Sequence, residues 1–248
     1  MNKIYILWLR QLKRYVRSKS RIIGSLGQPL FFLLALGYGF GGVFQKAGQG
    51  NYFNFLSPGV IGMAIIFTAI FTGIEIIWDR QFGFLKEIMV APMPRFQIML
   101  GRTLGGATVA TIQGLIVLIL AFVFGFRIGN IGAILAVIPV MFLVALLFTA
   151  LGTMVASLMQ DMQGFQLIMN FLVMPLFLLS GSLFPLDNVP VALSIVSKVD
   201  PLSYGIDAFR AILIGSSHFS LGTDVLVLSL FTAVFIGLGS YFFRRIQV

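Results

Sequence analysis

Apolar residues run along this chain in six stretches that are long enough to cross a lipid bilayer as helices. About 20 apolar residues span the hydrocarbon core at about 1.5 Å of rise per residue. The predicted spans are Ile22–Val43, Pro58–Trp78, Gly101–Phe124, Ile131–Leu158, Phe165–Phe184 and Asp224–Phe243. The pattern therefore predicts an all-α integral membrane fold with six transmembrane helices.

Residues 1–21 have a different pattern, in which apolar and basic side chains occupy opposite faces of one helix. One face carries Ile4, Tyr5, Trp8, Leu9, Leu12, Tyr15 and Val16, and the other carries Arg10, Lys13, Arg14, Arg17 and Arg21. This segregation is typical of a helix that lies in the membrane interface. We therefore expect an N-terminal interfacial amphipathic helix, with its basic face toward the headgroups and the cytosol.

Residues 185–217 precede the last span and are too apolar for a free loop and too short to span twice. Asn188 and Asp200 are predicted helix N-caps, Pro201 suits the first helical position, and Gly215 suits a helix end. We expect two short re-entrant helices in the outer leaflet, packed against other helices. Asp207 and Arg210 lie three residues apart on a helix and are predicted to pair.

Composition supports the membrane assignment. Hydrophobic residues make up 58% of the 248 positions and charged residues 10%, with a mean hydropathy of +1.01, whereas soluble domains carry about 25% charged residues. The chain has no cysteine and one histidine, so disulfides, thiolate sites and histidine clusters are excluded, and no metal site is expected. Catalysis needs converging acid, base, nucleophile or metal groups, and no such cluster occurs, so we do not expect an enzyme.

Charge sets the predicted orientation. The chain has 17 lysines and arginines. With the N-terminus inside, all but four of them fall on the cytoplasmic side, and the exceptions are Lys46, Arg127, Lys198 and Arg210. Basic residues concentrate on the cytoplasmic side of membrane proteins, so both termini are predicted to be cytoplasmic. The net charge of +9 then reflects contact with anionic headgroups, and no nucleic-acid partner is expected.

A short charged segment, residues 79–97, interrupts this apolar chain between the second and third predicted spans. Phe82, Leu85, Ile88 and Met89 recur at helical spacing, and Pro92 and Pro94 end the pattern. An amphipathic helix held at a membrane exit suits the groove of a cytosolic partner. A turn that rests on the headgroups explains the same pattern equally well.

Polar residues also form stripes within two predicted spans. In the second span Thr68, Thr72, Glu75 and Asp79 lie within about 60° of one helix face, and in the fifth Gln166 and Asn170 follow Gln163. Burying a polar side chain in hydrocarbon is costly, so these stripes are candidates for a translocation path. Polar residues also hold membrane helices together, and the sequence leaves both interpretations open.

The segment WDRQFGFLKEIMVAPMPRFQIMLGR resembles the cytoplasmic loop of ATP-binding-cassette (ABC) transporter permeases of the type-2 exporter family. FLLSGSLFPLDNVP followed by DPLSYGIDAFRAILIG resembles that family's late span and outer re-entrant region. The likeness covers the whole chain, 1–248, as one permease domain, and is strongest to the drug- and antibiotic-exporting subgroup.

The resemblance implies a transport subunit of the plasma (inner) membrane that moves a hydrophobic or amphipathic compound. It further implies two copies of a separate ABC ATPase, which bind the ATP and Mg, and a second permease copy as homodimer or heterodimer. The chain contains no G-x-x-x-x-G-K-[ST] phosphate loop, so we expect no cofactor on it. The family's coupling helix, which contacts the ATPase, falls on Phe84, Leu85, Lys86, Glu87 and Ile88. The alternative function is an ion-coupled secondary transporter, which would favour internal repeats and midplane ionisable groups.

Overall fold

The computed structural model describes residues 3–46, 50–84, 94–186 and 190–244. These residues are overwhelmingly helical. Six of their helices are long and apolar enough to cross a membrane, at Lys19–Gly39, Tyr52–Gln81, Arg95–Val123, Gly132–Leu158, Met162–Leu179 and Leu221–Phe243. Each overlaps one predicted span, so the all-α membrane fold with six spans is confirmed.

The first two helices meet at an elbow, where the backbone of Ser18 leaves the helical conformation. α1 (Lys3–Arg17) and α2 (Lys19–Gly39) are separated by Ser18 alone. α2 contains one π-helical turn at Phe32–Leu36, and a short helix, α3 (Gly41–Lys46), follows it. The interfacial segment predicted over residues 1–21 is therefore a helix only to Arg17, and the first span begins before Ile22.

The second span is made of two helices. α4 (Tyr52–Phe71) and α5 (Ile74–Gln81) are joined by Thr72 and Gly73. α4 begins six residues before the predicted Pro58, because the side chain of Asn51 accepts a hydrogen bond from the Phe53 backbone N–H and caps it. Pro58 lies inside the helix.

The remaining spans are α6 (Arg95–Val123), α7 (Gly132–Leu158), α8 (Met162–Leu179) and α11 (Leu221–Arg244). α8 ends five residues earlier than predicted, because the chain turns at Gly181, whose φ of 73° is readily accessible only to glycine. α11 begins three residues earlier than predicted, where the hydroxyl of Ser220 accepts from the Thr223 N–H.

Two shorter helices precede the last span, as predicted. α9 (Val191–Val199) has several exposed apolar residues, whereas α10 (Pro201–Ile214) buries Leu202, Ile206 and Phe209. Asp200 caps α10 by accepting from the Leu202 N–H, and Gly215 ends it in the left-handed conformation. These caps are confirmed. Asn188 lies outside the described residues.

The core lies where α4, α6 and α7 pack together. Side chains such as Val60, Ile65, Val144 and Phe148 are almost completely buried there. Glycines allow close backbone approach: a Cβ on Gly73 would lie 2.5 Å from the Gly152 carbonyl oxygen. The break between α4 and α5 therefore coincides with a tight contact against α7.

Candidate functional site

A cavity of about 400 Å³ lies among α1, α2, α4, α5 and α8. Its lining mixes apolar side chains, including Met63, Phe67 and Phe71, with amides and hydroxyls. The polar part of the lining comprises Gln11, Tyr15, Ser25, Gln28, Thr68, Thr72 and Gln166, together with the charged residues Arg21 and Glu75. The cavity thus presents both apolar and hydrogen-bonding surface to a bound molecule.

Four of the six predicted path residues line this cavity. Thr68 of α4, Glu75 of α5 and Gln166 of α8 come together there with Thr72, which lies in the turn between α4 and α5. Asp79 lies one turn beyond Glu75 and does not line it, and Asn170 lies on an exposed part of α8. The hydroxyl of Thr72 donates to the Ala69 carbonyl at 2.6 Å, so this side chain also stabilises its own helix end.

Glu75 is held by two arginines from the N-terminal elbow. Arg21 Nη1 lies 3.0 Å from one carboxylate oxygen, and Arg14 Nη1 lies 3.5 Å from the other. Glu75 is 5% exposed, and an ion pair at a buried carboxylate offsets the cost of removing it from water. Glu75 therefore joins α5 to both α1 and α2.

Asp79 has two arginine partners of its own. Arg10 donates to both of its carboxylate oxygens, at 3.2 and 3.3 Å, and the buried Arg102 of α6 donates to Oδ2. Arg102 is 4% exposed. The guanidinium of Arg10 also lies over the ring of Phe84, 4.0 Å from its centroid. This cluster of charges ties α1, α5 and α6 together.

These ion pairs correct the expectation for the basic face predicted over residues 1–21. Arg10, Arg14 and Arg21 were predicted to face headgroups and cytosol, but they bind Asp79 and Glu75. Arg80, next in sequence to Asp79, instead donates to the Met159 carbonyl. The sequence signal for these pairs is the presence of two carboxylates, Glu75 and Asp79, at the predicted cytoplasmic end of a span, on the same side of the membrane as the most basic segment of the chain.

α1 is docked on α6 through small residues and hydrogen bonds. A Cβ on Gly105 would lie 2.7 Å from Gln11, so the two helices approach closely at that glycine. Trp8 donates to the hydroxyl of Thr108 at 3.0 Å, and Tyr15 donates to the Gln113 side-chain oxygen at 2.5 Å. Burial raises the pKa of the Tyr15 hydroxyl, which therefore remains a donor.

The predicted coupling segment is only partly described. Phe84 is partly exposed and stacks beneath Arg10. Leu85, Lys86, Glu87 and Ile88 lie outside the described residues. The helix α5 extends through Gln81, so the first residues of the predicted 79–97 segment continue the second span.

The outer residues Asp207 and Arg210 have separate partners. Asp207 accepts hydrogen bonds from the backbone N–H groups of His218 and Phe219. Arg210 donates to the carbonyls of Gly181 and Phe55 and lies over the Phe55 ring. Among the ion pairs of the described residues, none joins Asp207 to Arg210, so each residue ties α10 to a different segment.

Comparison with known proteins gives consistent matches along the chain. The ABC-2 type transporter family model matches residues 2–214. Nodulation protein J of Rhizobium leguminosarum bv. trifolii is 29% identical over 85% of this chain and 78% of the relative. The putative transport permease ycf38 of Cyanophora paradoxa is 26% identical over 99% and 89%. The daunorubicin resistance ABC transporter permease protein DrrB1 of Streptomyces coeruleorubidus is 27% identical over 96% and 84%.

Proposed function

This chain belongs to the ABC-2 type transporter family, and on that premise we propose that it is the membrane subunit of an ATP-driven exporter of a hydrophobic or amphipathic compound. The observation that carries the proposal is the cavity of about 400 Å³ whose lining joins phenylalanines and methionine to amides and hydroxyls. Ligand cavities are mostly apolar with a few polar groups that fix orientation. Such a lining suits a molecule with an apolar body and a polar end.

The working unit in this proposal contains four chains. Two permease copies, identical or related, enclose the path, and two ATPase subunits bind ATP and Mg on the cytoplasmic side. The unit lies in the plasma (inner) membrane with both permease termini in the cytoplasm. The net basic charge of residues 3–21 supports this orientation.

Coupling is proposed to run from the 84–88 segment into the cavity wall. In this mechanism the ATPases push on Phe84, Leu85, Lys86, Glu87 and Ile88, and α5 moves with them. Asp79 and Glu75 lie on α5 and are bound to α1 and α2, so α5 cannot shift without shifting two walls of the cavity. Rigid-body movement between two packings then changes the affinity for substrate.

Transport assays in vesicles test the proposal. The permease and its ATPase are reconstituted together, and uptake of a fluorescent amphipathic dye into inside-out vesicles is followed with and without ATP. We expect dye uptake to require both ATP and the ATPase subunit. Uptake driven by an ion gradient without ATP would instead support a secondary transporter.

Two variants separate the path from the coupling segment. Thr68→Trp places an indole ring inside the cavity and is expected to lower transport by about tenfold while the ATPase still binds. Glu87→Lys is expected to leave ATP hydrolysis running without transport. Lys198→Glu, on the outer side, is the matched charge-reversal control. Normal transport by Glu87→Lys would contradict the assignment of the coupling segment.

A further inference from the structure

A second concave surface lies at the elbow between α1 and α2, separate from the cavity. This elbow groove has a volume of about 950 Å³. Its lining includes two apolar residues of α1, Ile6 and Leu9, and three basic residues, Lys13, Arg17 and Lys19. The hydroxyl-bearing residues Ser18 and Ser20 lie between the basic ones along the chain.

Carboxylates of the described residues balance only part of the positive charge of the elbow groove. Arg10 and Arg14 also line it, but their charge is directed to Asp79 and Glu75. Lys13, Arg17 and Lys19 are exposed and take part in none of the ion pairs of the described residues. Three cations along one groove favour an anionic occupant.

The backbone adds to this preference. α2 begins at the groove, and its N-cap residue Ser18 makes no side-chain capping hydrogen bond. The first N–H groups of a helix and the positive end of its dipole attract anions. The first N–H groups of α2 can hydrogen-bond an anion held by these cations, but the C-terminal end of α1, one residue earlier, opposes the α2 dipole. The side-chain cations therefore carry the preference for an anion.

The apolar residues of the groove restrict which kinds of anion can bind there. Ile6 is 48% exposed and lies with Leu9 beside the cations, so the groove offers apolar contact next to positive charge. A nucleic acid or an acidic peptide would leave these side chains in water. A molecule with an anionic head and an apolar tail would cover them.

The position of the groove along the chain also favours a lipid. It spans the junction at which the chain leaves α1 and enters the first span at Lys19. Basic residues immediately cytoplasmic of a span attract anionic headgroups. We propose that the elbow groove binds the headgroup of an anionic phospholipid, with its phosphate on Lys13, Arg17 and Lys19 and its first acyl carbons against Ile6 and Leu9.

This site would act on the rest of the molecule through the elbow. The same two helices supply Arg10, Arg14 and Arg21 to the carboxylates of α5. A lipid bound in the groove stabilises the elbow in the conformation that makes these pairs. The inference concerns a bound lipid and does not depend on which compound is transported.

Lipid retention tests the proposal. The full chain is reconstituted in mixed vesicles of phosphatidylcholine and phosphatidylglycerol, extracted in detergent, and its retained lipids are counted by native mass spectrometry. The wild type is expected to retain phosphatidylglycerol preferentially. Lys13→Gln/Arg17→Gln/Lys19→Gln is expected to lower the ratio of retained phosphatidylglycerol to phosphatidylcholine by about tenfold or more.

Three further variants make the result specific. Lys46→Gln/Arg127→Gln/Lys198→Gln removes three exposed charges elsewhere and should retain lipid as the wild type does. Lys13→Arg/Lys19→Arg preserves the charge and should also retain it, which separates loss of charge from misfolding. Ile6→Ser/Leu9→Ser should weaken retention of phosphatidylglycerol.

The competing occupants give different outcomes. If inorganic phosphate displaces phosphatidylglycerol and Ile6→Ser/Leu9→Ser has no effect, the site binds a free anion and the lipid assignment is wrong. If Lys13→Gln/Arg17→Gln/Lys19→Gln retains phosphatidylglycerol normally but no longer copurifies with its ATPase, the groove binds that protein instead. Equal retention by the two triple Gln variants would also overturn the proposal.

Discussion

Arg102 shows how a single buried charge shapes this fold. Its guanidinium is almost fully buried and donates to Asp79, while its Nε and Nη1 atoms have no partner among the described residues. Removing one partner of a buried ion pair leaves an uncompensated charge, which is costly. The stability of this region therefore depends on Asp79.

Asp79→Asn tests that dependence. The substitution leaves Arg102 buried with a neutral partner, and we expect the free energy of unfolding to fall by about 3–5 kcal/mol. Asp79→Asn/Arg102→Met should recover much of the loss, because it removes the buried charge as well. Thermal denaturation in detergent compares the stability of the wild type, the single variant and the double variant.

The control for that experiment is Arg10→Gln. Arg10 contacts the same carboxylate, but its side chain is 35% exposed, and a partly exposed pair contributes about 1 kcal/mol or less. If Arg10→Gln lowers the free energy of unfolding as much as Asp79→Asn does, the stability comes from the Arg10–Asp79 pair. That result would contradict the role of Arg102.

Asp200 makes the stability of the fold depend on pH. Burial raises the pKa of its carboxyl to about 7, above the value of about 3.9 expected in the unfolded chain. The folded state therefore binds more protons between these values, and stability falls as the pH rises from about 4 to about 7. Asn keeps the capping oxygen without the charge.

Asp200→Asn is accordingly expected to be more stable than the wild type at pH above about 7, by up to about 4 kcal/mol, and to lose this advantage near pH 4. Tryptophan fluorescence during thermal unfolding at several pH values measures the difference. Asp161→Asn, at the exposed N-cap of α8, controls for changing a capping aspartate. A difference between Asp200→Asn and the wild type that does not change with pH would refute the argument.

At the scale of elements, α1 is better described as a packed helix than as one that only rests on the membrane. Leu7 and Tyr15 are buried, although Leu7 lies outside the predicted apolar face. Tyr5 and Val16 of that predicted face remain exposed. The amphipathic pattern identified the helix correctly, but its periodicity does not distinguish lipid from a neighbouring helix as the apolar partner.

Gly105→Leu tests the docking of α1. A side chain at this position would overlap Gln11, so we expect α1 to separate from α6 at a cost of about 1–3 kcal/mol. In a Trp78→Phe background, the emission of Trp8 should shift to the red. Gly237→Leu, where no atom lies within 4 Å of a Cβ, is the matched control and should leave the emission unchanged.

At the scale of the whole molecule, the orientation predicted from charge can be tested with cysteines. The chain has none, so a single introduced cysteine reports its own position. Ser217→Cys, exposed before the last span, should react with a membrane-impermeant maleimide in intact cells. Ser20→Cys, exposed at the start of α2, should react only after the cells are opened. Reaction of Ser20→Cys in intact cells would show that the predicted orientation is wrong.

The sequence by itself determined the six spans and two of the helix caps. A helix in a membrane satisfies its backbone hydrogen bonds within its own segment, so length and hydropathy define the six spans. Caps are equally local, and Asp200 and Gly215 were identified from their neighbours. Three of the four path candidates that line the cavity, Thr68, Thr72 and Glu75, do so together because helical spacing places them on one side of the second span, whereas Gln166 joins them through packing of another helix.

Only the tertiary structure decided the partners of the charged side chains. Glu75 binds Arg21, 54 residues away, and Asp79 binds Arg10 and Arg102 from two different helices. Asp207 and Arg210 are close in sequence, yet they contact separate segments. Periodicity describes which face of a helix is polar, but the identity of the facing helix depends on how all the helices pack. A charge in a membrane is bound by whichever counterion that packing brings near.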